Sequence, residues 1–209
     1  MRASFLLICV LILSCQQTPP HPKDPMQAST HVSLLTYSIP AVDIPLDSLS
    51  LHKWEGVWKV NGQPYSGYAL QLYPNGLLRT KTGFFNGKKQ GPSRAYFPDG
   101  KLQHITPYHE NLVHGEVKNW SGVEGHPLLA IRNFHLGKAH GQHKKWYKNG
   151  QIFKIMNYHM GKEEGMQQAY NENGSLYANY EAKNGRSFGL KRSMLCYELD
   201  DEKLSLNEQ

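Results

Sequence analysis

The chain has 209 residues, 39% hydrophobic and 19% charged, which is typical of a folded protein rather than a disordered one. Nineteen glycines and twelve tyrosines beside only three cysteines favour a turn-rich β protein over a helical bundle or a disulfide scaffold. No apolar run reaches the roughly 20 residues that a membrane-spanning helix needs. The net charge of +6 is compatible with anionic partners.

The N-terminus has the pattern of a secretory signal, with Arg2 followed by nine apolar residues at 5–13. The next residues, Ile12-Leu13-Ser14-Cys15, resemble the bacterial lipobox. This resemblance implies that residues 1–14 are a lipoprotein signal peptide and that Cys15 becomes acylated. A plain signal peptide that is cut nearby, or an uncleaved anchor, remains the alternative.

Acyl chains on Cys15 imply a stable membrane anchor, because each buried methylene contributes about 0.8 kcal/mol. Gln16 follows in place of the aspartate that commonly retains lipoproteins at the inner membrane, which favours the outer membrane of a Gram-negative cell envelope. Removal of the signal leaves Cys196 as the single thiol, so the fold is expected to contain no internal disulfide.

Residues 15–50 are predicted to be the lipidated cysteine and a tether. The part at 16–30 contains four prolines and no aromatic residue, which is typical of a semi-extended spacer. The sequence predicts that this tether holds the following domain away from the bilayer.

Glycines recur with one period through most of the remaining chain. The first column has intervals of 24, 24, 26, 24 and 24 residues, at Gly67, Gly91, Gly115, Gly141, Gly165 and Gly189. The second column lies at Gly76, Gly100, Gly125, Gly150 and Gly174. The third column lies at Gly87, Asn111, Gly137, Gly161 and Gly185, and asparagine is the best substitute for glycine at positive φ. Such self-similarity indicates a repeat architecture.

Each unit reads as a β-hairpin, because Asn-Gly or Asp-Gly turns separate short apolar strands. The predicted fold is all-β: an elongated antiparallel meander of about six tandem 24-residue hairpin repeats over residues 51–195, with residues 196–209 as a polar C-terminal cap. Eleven or twelve strands would give a sheet about 55 Å long and about 23 Å wide. The third unit has extra residues, which longer turns or bulges would absorb.

Three motifs carry a family resemblance: Tyr73-Pro-Asn-Gly76, Asn86-Gly-Lys-Lys-Gln-Gly91 and Gly137-Lys-Ala-His-Gly141. They resemble MORN repeats, in particular the variant form found in bacterial proteins. Bacterial proteins with such arrays are often labelled antitoxin or immunity components. The resemblance therefore implies a protein-binding scaffold with an antitoxin-like role, whose partner would be a toxin or an envelope protein.

Two aromatic rows are the candidate binding residues, and the sequence leaves open which row is core and which is contact surface. The first row lies five residues after the first-column glycines and includes Trp120 and Trp146. The second row, Tyr73, Phe97 and Tyr147, is expected to point to the opposite face. One face of a single sheet has to be covered by another segment, a second copy or a ligand.

No catalytic motif, cofactor motif or metal-ligand spacing occurs, so the chain is predicted not to be an enzyme and to have no cofactor and no metal. Eight of eleven histidines lie between His104 and His159, and we interpret them as structural or surface residues. Export disfavours nucleic acid as a partner of the lysines. A structural role, or binding of anionic lipids or glycans, is the alternative function, and the oligomeric state stays open.

Overall fold

The computed structural model describes residues 38–190. The predicted signal peptide at 1–14, the acylation site Cys15, most of the tether and the cap at 196–209 lie outside these residues, so the structure does not test them. Among the described residues, no helix has the length and apolar character needed to cross a membrane.

The described residues form nineteen strands, which fall into two groups. The first group precedes the repeats and includes one short 3-10 turn at Leu46–Ser48; its strands are β1 (Asp43–Pro45), β2 (Ser50–His52), β3 (Val57–Val60) and β4 (Gln63–Pro64). The second group forms the repeats: β5 (Gly67–Leu72), β6 (Leu78–Phe85), β7 (Lys88–Lys89), β8 (Gly91–Tyr96), β9 (Leu102–His109), β10 (Leu112–Val113), β11 (Gly115–Trp120), β12 (Leu128–His135), β13 (Lys138–Ala139), β14 (Gly141–Trp146), β15 (Ile152–His159), β16 (Lys162–Glu163), β17 (Gly165–Tyr170), β18 (Leu176–Lys183) and β19 (Arg186–Leu190).

The predicted meander is confirmed. The strands of the large sheet follow the order β1-β5-β6-β8-β9-β11-β12-β14-β15-β17-β18-β19, and every pair is antiparallel except β1 with β5. The two-residue strands β7, β10, β13 and β16 pair with the ends of β6, β9, β12 and β15. Strands β2, β3 and β4 form a separate small antiparallel sheet.

At one edge of the sheet, the wide-turn edge, each short strand is joined to its long strand by a turn of about five residues. In the first turn the Leu77 N–H donates to Asn75 Oδ1 at 3.1 Å, and only Gly76, with φ 82°, is left-handed. In three other repeats the equivalent backbone N–H donates to the side-chain Oδ1 of Asp99, Asn149 or Asn173. The asparagine or aspartate therefore acts through its side chain and does not share the left-handed conformation.

The third repeat has a longer turn at this edge, as its extra residues predict. The Ser121 N–H donates to the Pro127 carbonyl at 2.9 Å, and His126 adopts a φ of 49°. The following strand, Leu128–His135, has the same length as its equivalents, so the insertion does not disturb the register of the next repeat.

The opposite edge, the tight-turn edge, consists of the two-residue turns at 86–87, 110–111, 136–137, 160–161 and 184–185. Both residues of each turn have positive φ, as two-residue type I′ hairpins require. Asn111 has a φ of 72° and takes the place of glycine, as predicted. Pairing resumes immediately after these two residues, since Lys88 pairs with Phe85 and Lys89 with Phe84.

Each returning strand bulges at the first glycine column. Lys89 pairs with Phe84 and Arg94 with Lys81, so four residues of the returning strand face two residues of β6. Gly91 lies in this bulge with a φ of 71°. The same two-residue excess recurs in the next three repeats and bends the strands between the two edges.

One face of the sheet, the core face, carries most of the buried side chains of the repeats. At the first repeat, Tyr65, Ala69 and Phe84 form a hydrophobic cluster, against which Trp58 and Val60 of the small sheet pack. The equivalents of Phe84 in the next three repeats, Tyr108, Phe134 and Tyr158, are half-buried, and Ala182 in the fifth repeat is buried. The preceding segment thus covers the first repeat, and we call the opposite side of the sheet the open face.

Candidate functional site

All five predicted contact residues lie along the wide-turn edge. Trp120 and Trp146 end short strands, whereas Tyr73, Phe97 and Tyr147 begin the turns that follow them. All five side chains are half-buried, so none is fully withdrawn into a core. The edge therefore presents a row of aromatic rings with accessible surface.

The two tyrosines of this set link neighbouring repeats. The Tyr73 hydroxyl donates to the Tyr96 carbonyl at 2.7 Å, and the Tyr147 hydroxyl donates to the Tyr170 carbonyl at 2.8 Å. Each bond spans 23 residues and fixes the ring orientation. These two side chains therefore stabilise the packing of neighbouring repeats, and only their ring faces are available to a ligand.

The third repeat brings Phe97 and Trp120 together through His126. The His126 ring lies parallel to Trp120, with centroids 6.5 Å apart, and is perpendicular to Phe97 at 5.7 Å. Its Nδ1 atom is buried without a hydrogen-bond partner in the described part of the chain. The longer turn thus fills the space that a wide turn of ordinary length leaves open.

Trp146 and Tyr147 line an open groove of about 580 Å³ in the fourth repeat. Leu129 provides apolar surface, and Lys148, Asn149 and Glu172 provide polar groups at its rim. The Phe153 ring lies 4.8 Å from Tyr147 and supports that side chain. An apolar floor with a polar rim suits a side chain of a partner better than a reaction that requires exclusion of water.

The structure shows a second groove, of about 650 Å³, which the sequence did not reveal. It lies where β1 pairs with β5, and its apolar surface includes Ile44, Leu46, Leu70 and Leu72. Residues 38–50 were assigned to the tether, and nothing in their sequence signals the parallel pairing. The exposed Leu72 side chain is explained by its place at this groove.

Five histidines form a continuous ladder on the open face near the tight-turn edge. Successive ring centroids lie 6.1, 5.1, 5.8 and 5.2 Å apart, through His109, His114, His135, His140 and His159. Two sequence columns contribute: the last residue of a long strand, and the residue before the first-column glycine. The sequence contained both columns, but only the bulge brings them side by side.

Two of these histidines link adjacent repeats. His114 Nδ1 accepts the Leu136 N–H at 3.3 Å, and His140 Nδ1 accepts the Met160 N–H at 3.5 Å. Gln90 does the same earlier in the array, since its Oε1 accepts the Glu110 N–H at 3.0 Å. We call these three bonds the repeat staples, and each holds the tight turn of the following repeat.

Burial changes the proton affinity of a few groups. Desolvation lowers the pKa of His114, and the neighbouring His135 and His109 lower it further. Burial also lowers the pKa of Lys89, whose ammonium lies 5.2 Å from the Tyr108 ring centroid. Burial and a 2.9 Å hydrogen bond to Glu163 raise the pKa of Tyr180 to about 12.

The open face also carries a row of cations and isoleucines across the strands. In register order the row consists of Lys81, Arg94, Ile105, Lys118, Ile131, Lys144 and Ile155, so cations and isoleucines alternate from Arg94 onward. Asp43 and Glu116 partly neutralise it through ion pairs with Lys81 and Lys118. Arg94 is exposed and Lys144 is half-buried.

Residues 38–190 contain no group of three or more histidine, cysteine or acidic side chains arranged to hold a metal ion. The ladder illustrates the reason, because the Nδ1 lone pairs of His114 and His140 already accept backbone N–H groups. A neutral imidazole in that state carries its proton on Nε2 and offers no free lone pair.

Two segments of the chain, residues 89–110 and 139–160, match the model of the MORN repeat variant family. Each segment runs from a two-residue strand through the following long strand to the next tight turn. No curated protein matches the chain. The chain is therefore a repeat protein with similarity to the MORN variant in two of its units.

Proposed function

We propose that the chain is a membrane-anchored, non-enzymatic scaffold that binds another protein of the cell envelope. The groove at Trp146 supports this role most directly, because it offers an accessible indole beside Tyr147 with polar groups at the rim. Aromatic side chains of this kind dominate the binding energy of protein interfaces. The half-exposed rings of the other repeats extend the same edge.

Affinity capture from cross-linked envelopes, followed by mass spectrometry, tests the scaffold role. Trp146→Ala should reduce recovery of the captured partner several-fold, because it removes the floor of the groove. Trp54→Ala is the matched control, since Trp54 is fully exposed in the turn between β2 and β3 and lies outside the groove. Equal recovery with both variants, or a loss only with Trp54→Ala, would place the contact elsewhere.

The anchor belongs to the same proposal and rests on the lipobox-like sequence that ends at Cys15. Acylation there would place the repeats in the envelope, at the outer membrane of a Gram-negative bacterium. Cys15→Ser should move the protein from the membrane fraction to the soluble fraction, because the acyl chains provide the attachment. Cys196→Ser is the control, and continued membrane association of Cys15→Ser would refute the anchor.

The finer form of the proposal is an antitoxin-like or immunity-like role, with a toxin as the partner. It rests on the resemblance to bacterial MORN variant arrays, which two segments of the chain share. This form predicts a toxin gene beside the gene for this chain. It also predicts that cells lacking the chain become sensitive to that toxin, and survival of such cells would reject it.

A second candidate function is binding of anionic lipid or glycan through the open face. The alternating row with Arg94, Lys118 and Lys144 favours it, because cations flanked by isoleucines suit a surface that is anionic and partly apolar. Flotation of the Cys15→Ser chain with phosphatidylglycerol vesicles tests this function. Binding should fall steeply as salt rises, and absence of binding at low salt would remove the candidate.

A further inference from the structure

The tight-turn edge offers a second surface, which the proposed function does not use. Lys138 lies directly opposite His135 in the strand register, and Lys162 lies opposite His159. Residues opposite each other in an antiparallel pair share a face, so these lysines lie beside the histidine ladder on the open face. We call Leu136, Lys138, Met160, Lys162 and the ladder the tight-turn surface.

Two apolar side chains of this surface are exposed at positions that disfavour them. Leu136 is 42% exposed with φ 45°, and Met160 is 40% exposed with φ 47°. Their equivalent in the first repeat is Asn86, a residue that adopts this conformation readily. Large apolar residues in a disfavoured conformation, held in place by the repeat staples, are a mark of a recognition surface.

The charge of this surface is positive. Lys88, the equivalent lysine of the first repeat, is neutralised by Glu110 at 2.9 Å. Within residues 38–190, Lys138 and Lys162 have no such acidic partner.

Backbone hydrogen bonds join the tight turns of neighbouring repeats into a row. The Gly137 N–H donates to the Val113 carbonyl, and the Gly161 N–H donates to the Ala139 carbonyl.

The spacing of the repeats defines the ligand geometry. Two strands per repeat, at about 4.8 Å each, place equivalent side chains roughly 9.6 Å apart. A polyproline II segment has three residues per turn and advances about 9.3 Å per turn, so every third side chain would meet an equivalent position. An acidic residue at every third place would then face Lys138 and Lys162, with apolar residues against Leu136 and Met160.

We propose that the tight-turn surface binds an acidic polyproline II segment of a partner protein, with a carboxylate at every third residue. The proposal rests on the scaffold role and identifies the kind of partner segment that the scaffold takes. We propose a protein segment rather than an unstructured polyanion, because a polyanion has no regular spacing that would place charges against the lysines and apolar groups against Leu136 and Met160.

Fluorescence anisotropy with the purified full chain tests this binding. The probe is a labelled peptide of tandem Glu-Pro-Leu triplets, and a scrambled peptide of the same composition is its control. The double variant Lys138→Ala and Lys162→Ala should weaken binding of the triplet peptide by about tenfold. The double variant Arg79→Ala and Lys101→Ala, which removes the same charge beside the wide-turn edge, should leave binding within about twofold.

Equal binding of the scrambled peptide, or equal weakening by both double variants, would reduce the contact to unspecific charge attraction and overturn the proposal. Absence of triplet-peptide binding to the folded chain would overturn it as well. The scaffold role is tested separately: a partner that is captured through Trp146 but does not compete with the triplet peptide contradicts only this inference. Stronger binding of phosphatidylglycerol vesicles than of the peptide at this edge would instead assign it to lipid.

Discussion

Leu136 shows how a single residue can hold an unfavourable backbone conformation in an otherwise regular array. Its φ of 45° is one that glycine or asparagine adopts readily, whereas for other residues the left-handed region costs roughly 1–2 kcal/mol. The staple from His114 holds this turn by accepting the Leu136 N–H. Replacing the leucine should therefore relieve strain without removing the hydrogen bond.

We expect Leu136→Asn to raise the free energy of unfolding by about 0.5–1 kcal/mol, measured by urea denaturation at pH 7.5. Leu112→Asn is the matched control, because Leu112 is similarly exposed at 46% but has no positive φ. It should not stabilise the chain. Equal stabilisation by both variants would show that removal of exposed apolar surface, rather than relief of strain, is responsible.

The staples also make one joint between repeats sensitive to acid. The pKa of His114 is lowered in the folded chain, so the folded state binds fewer protons than the unfolded state. The contribution of His114 to stability is then complete above the unfolded pKa of about 6.5 and is lost as the pH falls from that value through the lower pKa of the folded state. Gln90 makes the equivalent bond with an oxygen that does not titrate.

His114→Gln should therefore keep the staple and reduce the loss of stability between pH 7.5 and 5.5. His114→Ala lacks the acceptor and should be less stable by about 1 kcal/mol at pH 7.5. Urea midpoints of the three proteins at both pH values provide the measurement. If His114→Gln loses as much stability on acidification as the unmodified chain, other groups such as His104 or His143 control the response.

At the scale of elements, the sequence predicts the turns well and the packing between units poorly. The glycine columns locate every hairpin of the repeats, because both turn types require left-handed residues at fixed places. The pairing of β1 with β5 and the docking of the small sheet depend on residues 38–65, which have no periodicity. The histidine ladder was missed for a related reason, since the bulge that aligns its two columns leaves no pattern of its own.

Gly87 provides a test of the docking of the small sheet. A Cβ atom there would overlap Val57 Cγ1 and approach the Trp58 carbonyl oxygen to 2.8 Å. Gly185 has the same φ of 74° and nothing within 4 Å. Gly87→Ala should therefore be more destabilising than Gly185→Ala by about 1–3 kcal/mol in urea denaturation, because both share the backbone strain and only one has the clash.

A smaller difference in free energy of unfolding between these two alanine variants would mean that the small sheet can move away from Gly87 without loss of stability. Tryptophan fluorescence distinguishes the two cases, since Trp58 lies against Phe84 with ring centroids 5.8 Å apart. A shift of the emission towards that of exposed indole in Gly87→Ala would show that the small sheet has separated from the first repeat.

Across residues 38–190, the aromatic residues of one core-face column differ in burial. Phe84 has no exposed surface, because the small sheet covers it, while Tyr108, Phe134 and Tyr158 at the equivalent positions are half-buried. Each repeat in such an array contacts only its neighbours, so local stability follows local burial. Phe84 is thus more deeply packed than the aromatic residues that replace it in the next three repeats.

Two phenylalanines at equivalent positions test this difference. Phe84→Ala should lower the free energy of unfolding by about 3–5 kcal/mol, because it leaves a cavity in the cluster that the small sheet covers. Phe134→Ala removes the same side chain from a half-buried site against His143, with ring centroids 5.5 Å apart, and should cost roughly half as much.

Amide hydrogen exchange adds the spatial readout: protection of the first repeat should fall only in Phe84→Ala. Equal losses from both variants would mean that Phe134 is as well covered as Phe84, for example by a second copy on the core face.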